Sequence, residues 1–221
     1  MRTEHLVMPE DHMEELYSSR NVLVRFVHQK RLKALARRIP LRGATILDAG
    51  CGEGQLIECM HRRAPENSYH GSDITAVALE KARKRCTYAK FHRMDLAAMK
   101  FPDATFDVIV CTEVIEHIYE YRSVLNEFIR LLKPNGILLL TFPNEPLWTL
   151  ARFLLGRRPI KVPDHVNSFT PRRMRREVPL RSSFFVGLPL RLPFFMSLNA
   201  MMEFRKRSVP APQQSRTSGH P

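Results

Sequence analysis

The sequence predicts an α/β fold: a three-layer sandwich with helices on both faces of a mostly parallel sheet and a helical segment in front of it. Short apolar or alternating runs at 45–49, 68–74, 90–94, 106–111 and 136–142 have the spacing of strands. Helical patterns at 54–63, 75–86 and 121–132 separate them. Strands alternating with helices specify parallel pairing, because each right-handed crossover brings the chain back to the same end of the sheet. The first run also enters a glycine turn that opens the first of these helices.

Ahead of the first strand, Met1 to Glu15 is polar and acidic and has no apolar stretch of the kind a signal peptide needs. From Leu16 to Ile39 apolar residues recur at helical spacing, with Asn21 as a break or cap and Pro40 and Gly43 as terminators. Residues 1–42 therefore read as an N-terminal helical cap. Pro134-Asn135-Gly136 is a turn that starts the fifth strand, with Asn135 suited to a left-handed backbone. Eight prolines then punctuate 143–193. Within that region 148–155 predicts a short amphipathic helix closed by Gly156, and 171–176 a second helix with proline in its first turn. Phe184–Val186 and Phe194–Leu198 are the expected closing strands. The main domain runs from 43 to 207, with a variable acceptor region from about 143, and 208–221 reads as a disordered tail.

Hydrophobic residues at 44% and charged residues at 26% exclude wholesale disorder. No apolar run reaches the roughly 18 residues of a membrane span. The four cysteines form no CxxC pair, which suits free thiols in a reducing cytosol better than a disulfide or zinc framework. The net charge of +13 is unevenly placed: +4 in residues 1–42, −2 in 43–151 and +10 in 152–207. Such flanks suit an anionic substrate, or peripheral contact with an anionic membrane surface. Trp148, Leu150, Phe153, Leu154 and Leu155, interleaved with Arg152, Arg157 and Arg158, form either a lid over the substrate or the membrane-facing element.

The sharpest signal is Ile46-Leu47-Asp48-Ala49-Gly50-Cys51-Gly52-Glu53-Gly54, a buried strand, a glycine turn and a helix start. Backbone N–H groups at such a helix start offer positive potential to a carboxylate or phosphate. The glycines at 50, 52 and 54 do not follow the G-x-G-x-x-G spacing of a dinucleotide loop. Asp48 and Glu53 would also repel a pyrophosphate, whereas a ligand with an ammonium beside its carboxylate fits. These residues resemble the class I S-adenosylmethionine methyltransferases, whose first motif reads D-x-G-C-G-x-G. Gly71-Ser72-Asp73-Ile74, Met94-Asp95-Leu96, Phe106 to Cys111 and Leu131 to Ile137 follow in the family's order.

The resemblance implies a Rossmann-like domain with a seven-stranded sheet and S-adenosyl-L-methionine as cofactor. It further implies that Asp48, Gly50, Gly52, Gly54, Asp73, Ile74, Asp95, Leu96 and Thr112 line the cofactor site. Asp73 would accept from the ribose hydroxyls and Asp95 from the adenine amino group, with Met94 and Leu96 sandwiching the ring.

Acceptor chemistry is expected just past the fourth strand, in Thr112-Glu113-Val114-Ile115-Glu116-His117, and in the loop around His165. On a helix, Glu113, Glu116 and His117 would share one face. The segment around His165 resembles the H-x-x-x-F-T region of the type 11 subgroup, which includes ubiquinone-pathway O-methyltransferases. His117 or His165 would then be the general base for a small-molecule or lipid-like hydroxyl acceptor. A second resemblance, to metal-dependent 2′-O-methyltransferases of RNA 3′ ends, makes Glu113, Glu116, His117 and His165 metal ligands instead. A third alternative is a binding scaffold that has lost the reaction.

Overall fold

The structure is a computed structural model and describes residues 22–154 and 165–208. The expected helix before Val22, the Gly156 stop and the tail beyond Ser208 lie outside these residues. In chain order the elements are α1 (Val22–Ala36), β1 (Arg42–Ala49), α2 (Gln55–Arg63), β2 (Glu66–Asp73), α3 (Ala76–Arg85), β3 (Lys90–Arg93) and β4 (Phe106–Thr112). A single 3-10 turn (Ile115–His117) follows, then α4 (Tyr121–Leu131), β5 (Leu132–Pro143), α5 (Glu145–Leu154) and α6 (Pro171–Glu177). β6 (Arg181–Leu188), a 3-10 turn (Phe194–Met196) and β7 (Asn199–Arg205) complete it.

The seven strands form one sheet in the order β3-β2-β1-β4-β5-β7-β6. β1 to β5 are parallel, and β7 runs antiparallel between β5 and β6. One expected closing strand is corrected: Phe194–Met196 is a 3-10 turn, and the strand begins at Asn199. The turn wins because Ser197 Oγ donates to the Leu192 and Pro193 carbonyls and its backbone N–H to that of Phe194, leaving no ladder to join.

Alternation along the central strands divides the core in two. Leu47, Ile109, Leu138 and Leu140 face α4 and α6, whose Val124, Phe128 and Met174 cover them together with Val178 just past the end of α6. Ile46, Val108, Val110 and Leu139 face α1, α2 and α3 through Leu35, Ile57, Met60 and Leu79. A period of two on every strand makes both faces apolar, which is why a parallel sheet needs helices on both sides. Asn135 adopts φ 65, the left-handed backbone its turn requires.

Near the β2–β3 edge, His70 Nδ1 and His92 Nε2 lie 3.2 Å apart, with the rings stacked and Phe101 and Phe106 edge-on to them. Burial, His92 and Lys90 together push His70 down to about 4. The unfolded chain therefore takes up the proton first as pH falls. This contribution to stability is complete above about pH 6.5 and is lost towards pH 4. After discounting for half-exposure, we expect about 1–2 kcal/mol to disappear between pH 7.5 and 4.5. Urea unfolding at both pH values should show a stability change from pH 7.5 to 4.5 that is less favourable in the natural protein than in His70→Phe by that amount; equal changes in the two would contradict the assignment.

Candidate functional site

The strand order reverses between β1 and β4, and ligands of open α/β sheets bind where the carboxyl ends diverge at such a point. The glycine loop leaves β1 there. Gly50 has φ 78, and a Cβ on it would stand 2.5 Å from Val114 Cγ2, so only glycine lets the loop pass under the segment after β4. The Gly50 and Cys51 N–H groups donate to the Ser72 carbonyl, fastening the loop to the end of β2.

Asp73 closes β2. Its Oδ2 accepts from the Gly52 N–H and its Oδ1 from the Thr75 N–H, both at 2.9 Å. Each carboxylate oxygen has a second acceptor position, so the side chain is fixed by the loop and still able to receive two hydroxyls. Ile74 beside it is 37% exposed. Asp95 is exposed after β3, its Oδ1 accepting from the Ala97 N–H at 2.9 Å. Leu96 is buried in the core, and Met94 packs partly against it. Thr112 ends β4 with its hydroxyl 2.7 Å from that of Thr141 on β5.

Two acids of the loop behave differently from each other. Glu53 gives one oxygen to Lys81 at 3.1 Å and the other to the Gln55 amide at 2.9 Å, so its charge is matched. The reading of Glu53 as a second charge facing the ligand is corrected accordingly. Asp48 lies at the end of β1, fully buried, with neither carboxylate oxygen hydrogen-bonded. Burial first and the charge of Asp73 second push it up to about 8. Two orphaned oxygens on the strand that feeds a cradle of glycines fit a ligand that brings its own cation.

The segment after β4 is not the expected helix. Glu113 takes a left-handed backbone at φ 54, and only Ile115–His117 coil, as 3-10. Glu113 is thereby separated from Glu116 and His117. Its Oε1 accepts from the Thr141 hydroxyl at 2.8 Å, and its Oε2 from the Asn199 amide at 2.5 Å, with Arg31 3.3 Å away. The four-ligand metal set loses Glu113 for this reason.

Glu116, His117 and His165 do converge, each presenting a ligand atom within 4.8 Å of the others. The two imidazoles meet edge to face at 4.7 Å, and His165 Nδ1 lies 2.5 Å from Glu145 Oε1. Glu116 is 1% exposed with neither oxygen hydrogen-bonded, and burial together with the Glu113 charge holds it well above the usual carboxylate range. The Asn167 N–H donates to the Glu116 carbonyl, and the Asn167 amide to that of Ile118, which ties the His165 loop to the turn. Glu145, Arg31 and Asn199 were missed in the sequence. Only Glu145 carried a local signal, as the acid that opens a helix immediately after β5.

Residues 47–140 match the family model described as a methyltransferase domain, type 11. Over those residues the chain is similar to that methyltransferase domain. A probable S-adenosylmethionine-dependent methyltransferase of Mycobacterium tuberculosis is 37% identical over 57% of this chain and 44% of its own length. A ubiquinone biosynthesis O-methyltransferase of Xylella fastidiosa is 33% identical over 57% and 51%. The chain thus spans about half the length of the curated relatives it matches.

Among solved structures, magnesium protoporphyrin IX methyltransferase from Synechocystis, with bound S-adenosylhomocysteine, superposes with TM-score 0.68 at 18% identity, covering 89% of this chain and 93% of that one. At that identity the likeness establishes the methyltransferase fold. The relatives' names give S-adenosylmethionine as their cofactor, a molecule that carries an ammonium, a carboxylate and a ribose.

Proposed function

We propose that the chain is an S-adenosylmethionine-dependent O-methyltransferase of a small-molecule or lipid-like acceptor, with His165 as general base. The observation that carries this is the His165–Glu145 pair beside the cofactor end of the sheet. A carboxylate on Nδ1 fixes the tautomer with the proton there, which leaves the Nε2 lone pair to accept a hydroxyl proton. The cofactor supplies an electrophilic methyl group. With the cofactor held by the glycine loop, Asp48 and Asp73, His165 Nε2 would take the hydroxyl proton of an acceptor placed against the methyl group. His117, packed edge-on, holds the imidazole plane.

Asp48, Gly50, Gly52, Gly54, Asp73, Ile74, Asp95, Leu96 and Thr112 are the proposed cofactor residues. The names of the relatives support the acceptor class, ubiquinone biosynthesis O-methyltransferase and trans-aconitate 2-methyltransferase among them. The basic region from 152 to 207 supports an anionic acceptor or an anionic membrane surface beside the site. No helix among the described residues is long and apolar enough to cross a membrane. We keep the division into a helical cap to residue 42 and a methyltransferase domain beyond it as part of this proposal.

The orphaned Glu116 favours one second reading: with His117 and His165 it binds a divalent cation that positions the acceptor oxygens, as in methylation of an RNA 3′ end. Methyl transfer from tritiated S-adenosylmethionine to a phenolic hydroxyl, measured with EDTA or with Mn²⁺, separates the two. We expect an O-methyl product formed equally well with EDTA. Activity that vanishes with EDTA and returns with Mn²⁺ would move the cluster to the metal reading, and absence of any O-methyl product would overturn the proposal.

A further inference from the structure

The basic region does not lie wholly at the methyl-transfer end of the sheet. Because β7 runs antiparallel to β5, Asn199 meets Pro143 at the end of β5, while Arg205 meets Ile137 near its start. At about 3.4 Å per residue the two ends of β7 stand about 20 Å apart. Asn199 reaches Glu113 at one edge of the sheet, and Arg205 belongs to the other.

At that far edge lies an open cavity of about 380 Å³, lined by Pro179, Leu180, Arg181, Arg205 and Arg207. Arg181 opens β6 and stands directly opposite Arg205 in the ladder. Opposed residues of an antiparallel pair share a face with Cβ atoms about 5 Å apart, where like charges repel. Arg207, two residues beyond Arg205, adds a third guanidinium to the same cavity. The acid that serves this group is already filled. Glu203, 1% exposed, accepts from Arg38 on one oxygen and from Ser183 and Arg205 on the other. The side chains of Arg181 and Arg207 are exposed and make no ion pair or hydrogen bond among the described residues.

The backbone that carries the arginines is fixed. The Lys206 N–H donates to the Gly136 carbonyl at 3.0 Å, and the Lys206 carbonyl accepts from the Asn135 N–H at 2.9 Å. Lys206 Nζ donates to the Ile129 and Leu132 carbonyls, both at 2.7 Å. On the other wall Val178 is buried and Leu180 packs on the core. Three guanidinium groups are thus held in one concavity with most of their charge unmatched by the protein. Each guanidinium fits a phosphate through paired N–H donors, and three together suit more than one phosphoryl group. A concave site favours a compact anion over a nucleic-acid strand, whose backbone is tracked by a groove of charge.

We propose that this cavity is a second ligand site, remote from methyl transfer, that takes a multiply charged phosphate group. The test is calorimetric titration of inorganic pyrophosphate into the full chain and into Arg181→Ser, Arg207→Ser and the double variant. The natural protein should bind one pyrophosphate per chain. Each single variant should bind about tenfold more weakly and the double variant about a hundredfold, the loss expected for hydrogen bonds to a charged group. Both single variants should melt no lower than the natural protein, since each removes a like charge from a repelling group. Two further probes separate the sources of the phosphate. Displacement of pyrophosphate by adenosine diphosphate assigns a soluble phosphate ester. Binding to vesicles of equimolar phosphatidylcholine and phosphatidic acid, lost in the double variant, assigns a lipid headgroup. Absence of pyrophosphate binding, or undiminished binding in the double variant, would overturn the proposal. So would an oligouridylate that binds the natural protein, fails to bind the double variant and is not displaced by pyrophosphate, because a nucleic-acid strand would then be the occupant.

Discussion

Asp48→Asn is expected to stabilise the cofactor-free protein at pH 8 and weaken its hold on S-adenosylmethionine. In the folded chain Asp48 is buried without a partner and pushed up to about 8, against an ordinary value of 3.8. A group whose pKa is raised by folding contributes stability that is complete below pH 4 and is lost as the pH climbs through 8. The shift sets an upper bound of about 5 kcal/mol at pH 8. The buried amide also lacks partners, so we expect Asn to recover about 2–4 kcal/mol, or roughly 5–12 °C in Tm.

At pH 5 the two proteins should melt together. In the complex the cofactor ammonium offsets the charge, so binding at pH 7 releases close to one proton from Asp48. Calorimetry in buffers of different ionisation enthalpy reads that proton. Asp48→Asn should lose it, along with about tenfold to a hundredfold in affinity. An Asn variant with unchanged pH-dependence of melting and unchanged affinity would contradict the role given to Asp48.

The second large effect concerns His165. His165→Ala should lower methyl transfer to a phenolic acceptor by about 10²–10⁴, the usual contribution of a positioned general base. Cofactor affinity should stay unchanged, because His165 pairs with Glu145 and packs on His117, neither of them a proposed cofactor residue. Glu145→Gln keeps the hydrogen bond and loses the charge that selects the tautomer, so a smaller fall, about tenfold, is expected. Glu116→Gln should be nearly silent if Glu116 is held protonated and should abolish activity if it binds a cation. Equal and complete loss in all three variants would favour the metal reading.

The sheet was legible because its information is local. The switch from Ile46 to Leu47, and from Val108 to Ile109, places neighbours on opposite faces whatever the strand order. The glycine loop and Asp73 were equally legible, since a tight turn after a strand and an acid at the next strand's end are fixed by covalent geometry. The acceptor side was not. Glu113 leaves its expected companions because one left-handed residue redirects its side chain to Thr141 on β5 and Asn199 on β7, residues 28 and 86 positions away. Arg31 joins them from α1. Glu145 reaches His165 across 20 residues of sequence. Pairing at such range depends on strand order and on the antiparallel return of β7, which alternation alone does not encode.

Titration of S-adenosylmethionine into the natural protein and into Asp73→Ala tests the central claim most directly. Asp73 accepts from the Gly52 and Thr75 N–H groups, one on each oxygen, and the second acceptor position of each is the one proposed for the ribose. The account predicts one site per chain in the natural protein and a loss of at least a hundredfold in Asp73→Ala, with the variant still melting cooperatively. Absence of binding to the natural protein, or equal affinity in the folded variant, would contradict it.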